Sequence, residues 1–331
     1  MSTNNQLPMQ IHAIHPDNKK NFKALATPRK DIRATRTGMR TACTKCFKTD
    51  LDHPELELRR CGKCKGVWYC SKECQTAHWP QHKKSCKEVE GSGFQKLVQN
   101  FYSNPILNKH LQACFIIHFD LLRRPVLDAP FMARVDIAIE PADMPAFFNV
   151  FCGEPVPAGT FMGMLQVNRF TPLSPEAMAD LTPMRREIWR QARESADKSG
   201  YAGHPVGLVE FGTGDSEQTL TCAVHVQPGA MELVRQAPPW EMKSSITGKV
   251  TEKPFNIETC MEFMNTHIRA DKKNQLLLRT EMRPFDIQVI RDAATNSDSL
   301  AAQVLRAKMR REDIFTPIMV GKGFAQQVPL V

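Results

Sequence analysis

Eight residues of the types that bind metal ions recur at short spacings in the first part of the chain. The pattern is C-x2-C, C-x2-C, C-x3-C and H-x3-C, formed by Cys43 and Cys46, Cys61 and Cys64, Cys70 and Cys74, and His82 and Cys86. Thiolate sulfur and imidazole nitrogen are ligands that zinc prefers, and two tetrahedral ions need eight of them. The spacing therefore predicts a site for two Zn²⁺.

Two other chemistries of clustered cysteines fit this segment less well. A thioredoxin-like redox site needs one C-x-x-C beside a βαβ pattern, whereas this segment carries two such pairs and a histidine-bearing continuation. Disulfides are rare in reducing compartments, and the amino terminus has no apolar signal core that would direct secretion. Four protein ligands for each ion leave no open coordination position, so the prediction is a structural rather than a catalytic metal site.

The residues alone leave the pairing of ligands and ions open. The two ions could be bound by successive ligands or by interleaved ones, and His78 stands at helical spacing from other ligands, as His82 does. Pro80 lies between the last two ligand pairs and is expected to interrupt a helix there.

Residues 43–86 resemble a MYND-type zinc finger, in which YCSKECQ and HWPQHKKSC stand at the expected places. The resemblance implies interleaved binding, with the first ion held by Cys43, Cys46, Cys70 and Cys74 and the second by Cys61, Cys64, His82 and Cys86. It also selects His82 rather than His78 as the histidine ligand.

The resemblance implies a function as well, because MYND fingers are generally protein-interaction modules and some bind proline-rich P-x-L-x-P peptides. The peptide-contacting positions of the family correspond to Gln75 and Trp79, while Gly62 replaces a serine often found there. The segment CGKCKGVWYC is short enough for a hairpin whose outer edge accepts an extended peptide as an added strand. The alternative for Trp79 is that it packs between the two zinc sites.

The composition divides the chain into four parts. Residues 1–42 contain few apolar residues and are expected to form a basic flexible arm, followed by the finger at 43–86 and a hinge at 87–93. Residues 94–331 alternate between strand and helix periods, which predicts an α+β domain with an antiparallel sheet of about four strands covered by helices. The predicted strands lie in FMARVDIAIE, TFMGMLQVNRF, VGLVEFGTG and TLTCAVHVQ, the last two as a hairpin, and the predicted helices lie near 94–102, 105–122, 174–198, 256–271, 284–294 and 298–313.

The net charge of +9 is concentrated in the arm, since residues 1–40 hold eight Lys or Arg against two Asp or Glu. Seven thiolates and two Zn²⁺ would reduce the formal charge of the finger to near +1. The arm is expected to be solvated, and weak, salt-dependent nucleic-acid binding through residues 19–40 is an alternative function. The predicted helix at 174–198 is also basic, but its interleaved acids favour a surface of ion pairs.

Evidence for an enzyme is weak, so the chain is predicted to be an adaptor or regulatory protein. The main alternative is an S-adenosylmethionine-dependent lysine methyltransferase, because one MYND branch inserts the finger into a split SET domain. Its motifs are absent: residues 1–42 contain the single glycine Gly38, and the chain has no Asn-His dipeptide. His110, Cys114 and His118 recur at helical spacing, but the apolar residues around them favour core packing.

The overall composition is that of a globular protein, with 42% hydrophobic and 24% charged residues among 331. No apolar run approaches the length that spans a bilayer, which predicts a protein without a membrane segment. An intracellular location, in the nucleus or the cytoplasm, is expected from the absence of a signal core, and clustered cysteines in such a compartment usually hold metal.

Overall fold

The computed structural model describes residues 16–37, 43–48, 53, 55–64, 67–86, 93–156, 159–214, 219–243, 250–295, 297–316 and 318. The part up to the end of the finger forms α1 (Pro16–Leu25), α2 (Arg29–Thr37), β1 (Arg59–Arg60), β2 (Trp68–Tyr69) and α3 (Lys72–Ser85). The large domain continues with α4 (Gly93–Tyr102), α5 (Pro105–His118), β3 (Met132–Pro141), α6 (Met144–Phe151), β4 (Met162–Pro172), α7 (Pro175–Ala179), α8 (Pro183–Lys198), β5 (Val206–Gly212), β6 (Thr219–His225), α9 (Pro228–Gln236), β7 (Trp240–Lys243), β8 (Val250–Lys253), α10 (Ile257–Ala270), β9 (Arg279–Glu281), α11 (Pro284–Ala294), α12 (Leu300–Arg311) and a 3₁₀ turn at Asp313–Phe315.

The main sheet of the large domain has five strands in the order β6-β5-β3-β4-β9. Four of them are the predicted strands, and β5 and β6 form the predicted antiparallel hairpin. The expectation of a four-stranded antiparallel sheet is wrong in two respects, because β9 is added at one edge and β3 pairs with β5 in parallel. A three-residue strand shows no periodicity in sequence. Since β4 returns the chain to the end of the sheet where β3 begins, β5 starts from that end and runs parallel to β3.

The long helix expected at 174–198 is divided into α7 and α8. Leu181 is buried between them, and the Thr182 hydroxyl accepts a hydrogen bond from Arg185 N at 3.4 Å. Pro183 occupies the first turn of α8, where its fixed φ favours helix initiation. The predicted end at Gly200 is present, with a positive φ of 84° that glycine adopts without strain.

The predicted flexible arm is wrong for residues 16–37, which form two helices packed on the large domain. Ile32 of α2 is fully buried in the main core, and the Phe22 ring lies 5.1 Å from the His267 ring of α10. Arg36 Nη1 donates to Asn100 Oδ1 at 2.7 Å. Phe22 and Ile32, two of the few apolar residues of this segment, thus anchor it. The predicted hinge lies outside the described residues, except for Gly93, which begins α4.

The finger is therefore placed between two segments of one folded unit, which consists of residues 16–37 and the large domain. A direct contact joins the finger to α8, where Gln191 Nε2 donates to the Phe47 carbonyl oxygen at 3.4 Å. Across the described residues, no helix has both the length and the apolar character needed to cross a membrane.

Candidate metal centre

Two C-x2-C turns of the finger have the backbone geometry that aims paired thiols at one point. In the first turn, Phe47 N donates to the Cys43 carbonyl oxygen at 2.8 Å, and Phe47 itself has a positive φ of 62°. The second turn begins directly after β1, in the connection between β1 and β2, where Cys61 N donates to the Val67 carbonyl oxygen at 2.9 Å. Both Cys43 and Cys61 are buried at the start of their turns.

Helix α3 carries Cys74 and His82, with Cys70 just before it and Cys86 at its carboxyl-terminal cap. The helix continues through Pro80, so the predicted interruption is wrong. The Ser71 hydroxyl caps its first turn by accepting a hydrogen bond from Cys74 N at 3.3 Å. Proline costs an intrahelical hydrogen bond. Cys74 before Pro80 and His82 after it each belong to a ligand group. These two attachments explain why the helix continues through the proline.

The structure brings the eight side chains into two groups of four. Within each group, the ligand atoms lie within 4.8 Å of one another. The interleaved groups are those that the family resemblance implies: Cys43, Cys46, Cys70 and Cys74, and Cys61, Cys64, His82 and Cys86. Cys46 Sγ lies 3.5 Å from Cys70 Sγ, and Cys64 Sγ lies 3.4 Å from His82 Nε2. One group offers four sulfurs and the other three sulfurs and one nitrogen, which are the ligand sets of two structural zinc ions.

The protonation of the thiols is consistent with binding of a divalent cation. Burial raises the pKa of Cys61, but hydrogen bonds from Cys64 N and His82 outweigh it and lower the pKa to about 6. In the same group, burial and the neighbouring sulfur of Cys61 raise the pKa of Cys86 to about 11. One thiolate therefore opposes the ionisation of the next, and a bound Zn²⁺ would supply the charge that allows all three to ionise.

His78 belongs to neither ligand group. Its Nδ1 lies 2.9 Å from the Tyr69 hydroxyl, and its ring stacks on that of His82 with centroids 5.6 Å apart. His78 and Tyr69 thus pack around the second group and hold the ring of the ligand His82 in place.

Trp79 extends from α3 next to the second ligand group and remains 43% exposed. Its ring meets the His82 ring edge-on, with centroids 5.9 Å apart, whereas Gln75, one turn earlier, is half-buried. Trp68 of β2 is half-buried below the Arg60 guanidinium, which lies 4.3 Å from the centre of the ring. An added Cβ on Gly62 would meet no atom within 4 Å, so the serine found in relatives has room at this position.

The small β1–β2 sheet has one edge at which another strand can be added. Arg60 of β1 lies opposite Trp68 of β2. On the side of β2 that faces away from β1, Thr44 N donates to the Trp68 carbonyl oxygen at 2.8 Å. Because the backbone groups of Trp68 point away from β1, those of the facing Arg60 point away from β2. The free edge of this sheet, within the described part of the finger, is therefore the outer side of β1.

The other candidate residues from the sequence do not form a site. Cys114 packs with Cys260 in an apolar cluster, the His110 ring stacks on Phe263 with centroids 4.0 Å apart, and His118 is exposed. Within the ranges that the structure describes, the two finger groups are the only sets of three or more His, Cys, Asp or Glu that could hold a metal ion.

A buried network of charges in the large domain was missed in the sequence. Lys308 Nζ donates to Glu140 Oε1 at 2.6 Å and to Asn168 Oδ1 at 3.1 Å, and Arg269 bridges Glu140 and Glu312. Burial lowers the pKa of Lys308 to about 8, although the two carboxylates oppose this shift. The adjoining cavity between β3 and the α11–α12 pair measures about 20 Å³, which is room for little more than a water molecule.

Asn265 of α10 connects this network to an irregularity in the sheet. Its side-chain amide accepts a hydrogen bond from Val167 N and donates one to the Val167 carbonyl oxygen, both at 2.7 Å. The β3–β4 register shifts at this point, between Asp136 and Ile137. The Asn265 amide thus satisfies backbone groups of Val167 that point away from β3, beyond the last residues that pair with β9.

Comparison with known proteins agrees with this description of the finger. The model of the MYND finger family matches residues 43–86. A SET and MYND domain-containing protein of Dictyostelium discoideum is 50% identical over 46 residues, which are 14% of this chain and 8% of that protein. Histone-lysine N-methyltransferase ASHR1 of Arabidopsis thaliana is 37% identical over 53 residues, 16% of this chain and 10% of that protein.

These matches cover the finger alone, and the chain spans about a tenth of the length of the curated relatives it matches. No solved structure is significantly similar to the chain. Fold and site together define a protein with a MYND-type two-zinc finger, which is generally a protein-interaction module. The chain belongs to the family described as a domain of unknown function (DUF8205), whose model matches residues 91–315, more than half of its length.

Proposed function

We propose that the chain is an adaptor whose finger binds a short, extended, proline-containing segment of a partner protein. The observation that carries the proposal is the exposure of Trp79 beside a zinc ligand. A large aromatic side chain costs little entropy to order and offers a flat face to a proline ring, so it is a favourable anchor for such a peptide.

The outer edge of β1 supports the same proposal. An added peptide strand would bond with the backbone N–H and C=O of Arg60, which face away from β2. Main-chain pairing gives affinity without regard to sequence, and specificity then comes from side-chain contacts such as those of Gln75 and Trp79. Zinc holds this surface in shape, because the short finger has few large apolar residues for a core of its own.

Titration calorimetry of the zinc-loaded full chain with a P-x-L-x-P peptide tests the proposal. Trp79→Ala is expected to weaken binding by about 2 kcal/mol, or roughly 30-fold, with unchanged zinc content. Phe285→Ala is the matched control, because Phe285 is 44% exposed but lies on α11, outside the finger. Equal affinities of the wild type and Trp79→Ala would exclude Trp79 as the anchor.

Gly62→Ser tests the same site by adding a peptide contact instead of removing one. Since the position has open space around it, the added hydroxyl is expected to restore a peptide contact and to tighten binding without affecting the fold. A Gly62→Ser protein that binds the peptide no better than the wild type would show that the peptide does not reach the second C-x2-C turn.

A further inference from the structure

Two basic helices of the protein differ in how their charges are balanced. On α8, four of the five basic residues form ion pairs with described acids, and Arg186 donates to backbone carbonyl oxygens instead. The pairs are Arg185 with Glu210, Arg190 with Glu187 and Glu194, Arg193 with Asp197, and Lys198 with Glu194. On α2, four basic residues stand against the single acid Asp31. Most of the positive charge of α8 is therefore balanced by nearby acids, whereas α2 carries three more basic than acidic residues.

The packing of α2 turns part of this excess outwards. Buried Ile32 fixes the inner face, and Arg36 bonds to Asn100 beside it. Lys30 and Arg33 are exposed, as is the single acid, Asp31. Lys20 and Lys23 of the neighbouring α1 are exposed as well.

The turn after α10 extends the same surface. Arg29 Nη2 donates to the carbonyl oxygens of Lys273 and Asn274 at 3.2 and 2.8 Å, so the start of α2 is fastened to this turn. Lys272 and Lys273 are exposed there. The nearby Asp271 is buried and accepts hydrogen bonds from Gln275 N and Leu276 N, so its carboxylate faces inwards.

Four exposed residues form one basic surface at this contact, namely Arg29 and Lys30 at the start of α2 and Lys272 and Lys273 in the turn after α10. None of its three lysines makes an ion pair with another residue that the structure describes. The surface belongs to two segments that are more than 200 residues apart in sequence, as the contact of Arg29 with Lys273 shows. All of its residues lie outside the finger at 43–86.

We propose that this basic surface binds the phosphate backbone of a double-stranded nucleic acid. Leu25 is the large apolar side chain exposed on α1 and α2, which is too little for the apolar centre of a protein interface. The described residues of α1 and α2 also offer no exposed aromatic ring for stacking with unpaired bases, which favours a duplex over a single strand. Contacts of lysine and arginine with phosphates give binding that depends strongly on salt and little on sequence.

Fluorescence anisotropy with a labelled DNA duplex of about 20 base pairs tests the proposal on the zinc-loaded full chain. The triple variant Lys30→Gln, Lys272→Gln, Lys273→Gln is expected to bind at least about tenfold more weakly near 0.1 M salt. Its slope of log K against log salt is expected to be smaller by about 2.7, which is roughly 0.9 for each lost phosphate contact.

The matched control removes the same charge from the finger, through Lys63→Gln, Lys72→Gln and Lys83→Gln, all at exposed positions. It is expected to bind the duplex nearly as the wild type does. Equal losses in the two variants, or no binding of the wild type at low salt, would overturn the proposal. Tighter binding of a polyglutamate peptide than of the duplex at the same surface would also overturn it, in favour of an acidic protein. Circular dichroism establishes that both variants are folded.

Discussion

Lys308 of α12 and Glu140 of β3 form a hydrogen-bonded ion pair of 2.6 Å inside the large domain, where both side chains are almost completely buried. The pair joins α12 to β3, the central strand of the sheet, across 168 positions of sequence. Arg269 and Glu312 extend it into a network in which each carboxylate meets at least two cations or amides. A network so completely partnered fixes the position of α12 more specifically than apolar packing alone.

Removal of one member of this network is expected to be costly. Lys308→Met leaves Glu140 with the longer contact to Arg269 alone, and we expect a loss of about 3 kcal/mol in the free energy of unfolding. Urea denaturation measures the change. Lys198→Met is the control, since Lys198 forms a solvent-exposed pair with Glu194 and should cost less than about 1 kcal/mol. Equal effects of the two substitutions would contradict the described role of the buried pair.

Ile32 anchors α2 in the core, so Ile32→Ala is expected to destabilise the large domain by about 2 to 4 kcal/mol. A cavity would remain where the side chain packs, because the surrounding residues relax only in part. Thermal unfolding followed by circular dichroism would detect this change. Leu25→Ala on α1 should have little effect, since Leu25 is 43% exposed. A stability unchanged by Ile32→Ala would restore the view of residues 16–37 as a detached arm.

Loss of one zinc ligand is expected to empty one metal site and to disturb the other. Cys74→Ser replaces a sulfur of the first group, and elemental analysis should show the content falling from two zinc ions to about one or fewer per chain. The second site is affected because α3 carries ligands of both groups. Cys152→Ser, at a position in α6's carboxyl-terminal cap, should leave two zinc ions bound. Two ions retained in Cys74→Ser would refute the assignment of this ligand.

Two histidines of the large domain make its stability depend on pH in mildly acidic solution. Burial lowers the pKa of His267 to about 4, and burial together with the neighbouring His267 lowers the pKa of His110 to about 4. An unfolded histidine has a pKa of about 6.5, so the unfolded chain binds more protons between pH 6.5 and 4. Stability should therefore decrease as the pH falls through this window, by about 3 kcal/mol for each histidine.

His267→Phe isolates one of these contributions. The ring contacts with Phe22 and Phe263 can be kept while the titrating group is removed, so the variant should lose less stability than the wild type between pH 7 and pH 4. Because the zinc ligands are the same in both proteins, their protonation cancels in the comparison. His118→Gln, at an exposed position, should retain the wild-type dependence on pH. An identical dependence in His267→Phe and the wild type would show that His267 does not titrate as described.

The sequence indicated the finger in detail because zinc ligands obey strict rules of residue type and spacing. The pairing of ligands with ions came from family resemblance, since spacing alone allowed two arrangements. The central strands were visible as alternating apolar patterns, but β9 was too short to show one. Glu140, Lys308 and Glu312 were not recognised as interior residues, because charged residues are usually exposed and only the fold brings these together. Ile32 was similarly hidden in a basic segment.

The position of the finger between α2 and α4 has a consequence for the whole protein. The finger at 43–86 is an insertion, folded around its metal ligands, between two segments of one domain. Without zinc this insertion would become a long flexible loop, and the entropy needed to hold its two ends together would increase, by about 0.6 kcal/mol for each doubling of the effective loop length. The availability of zinc would thus change the stability of the large domain through the entropy of this loop, although no zinc ligand belongs to the core of the domain.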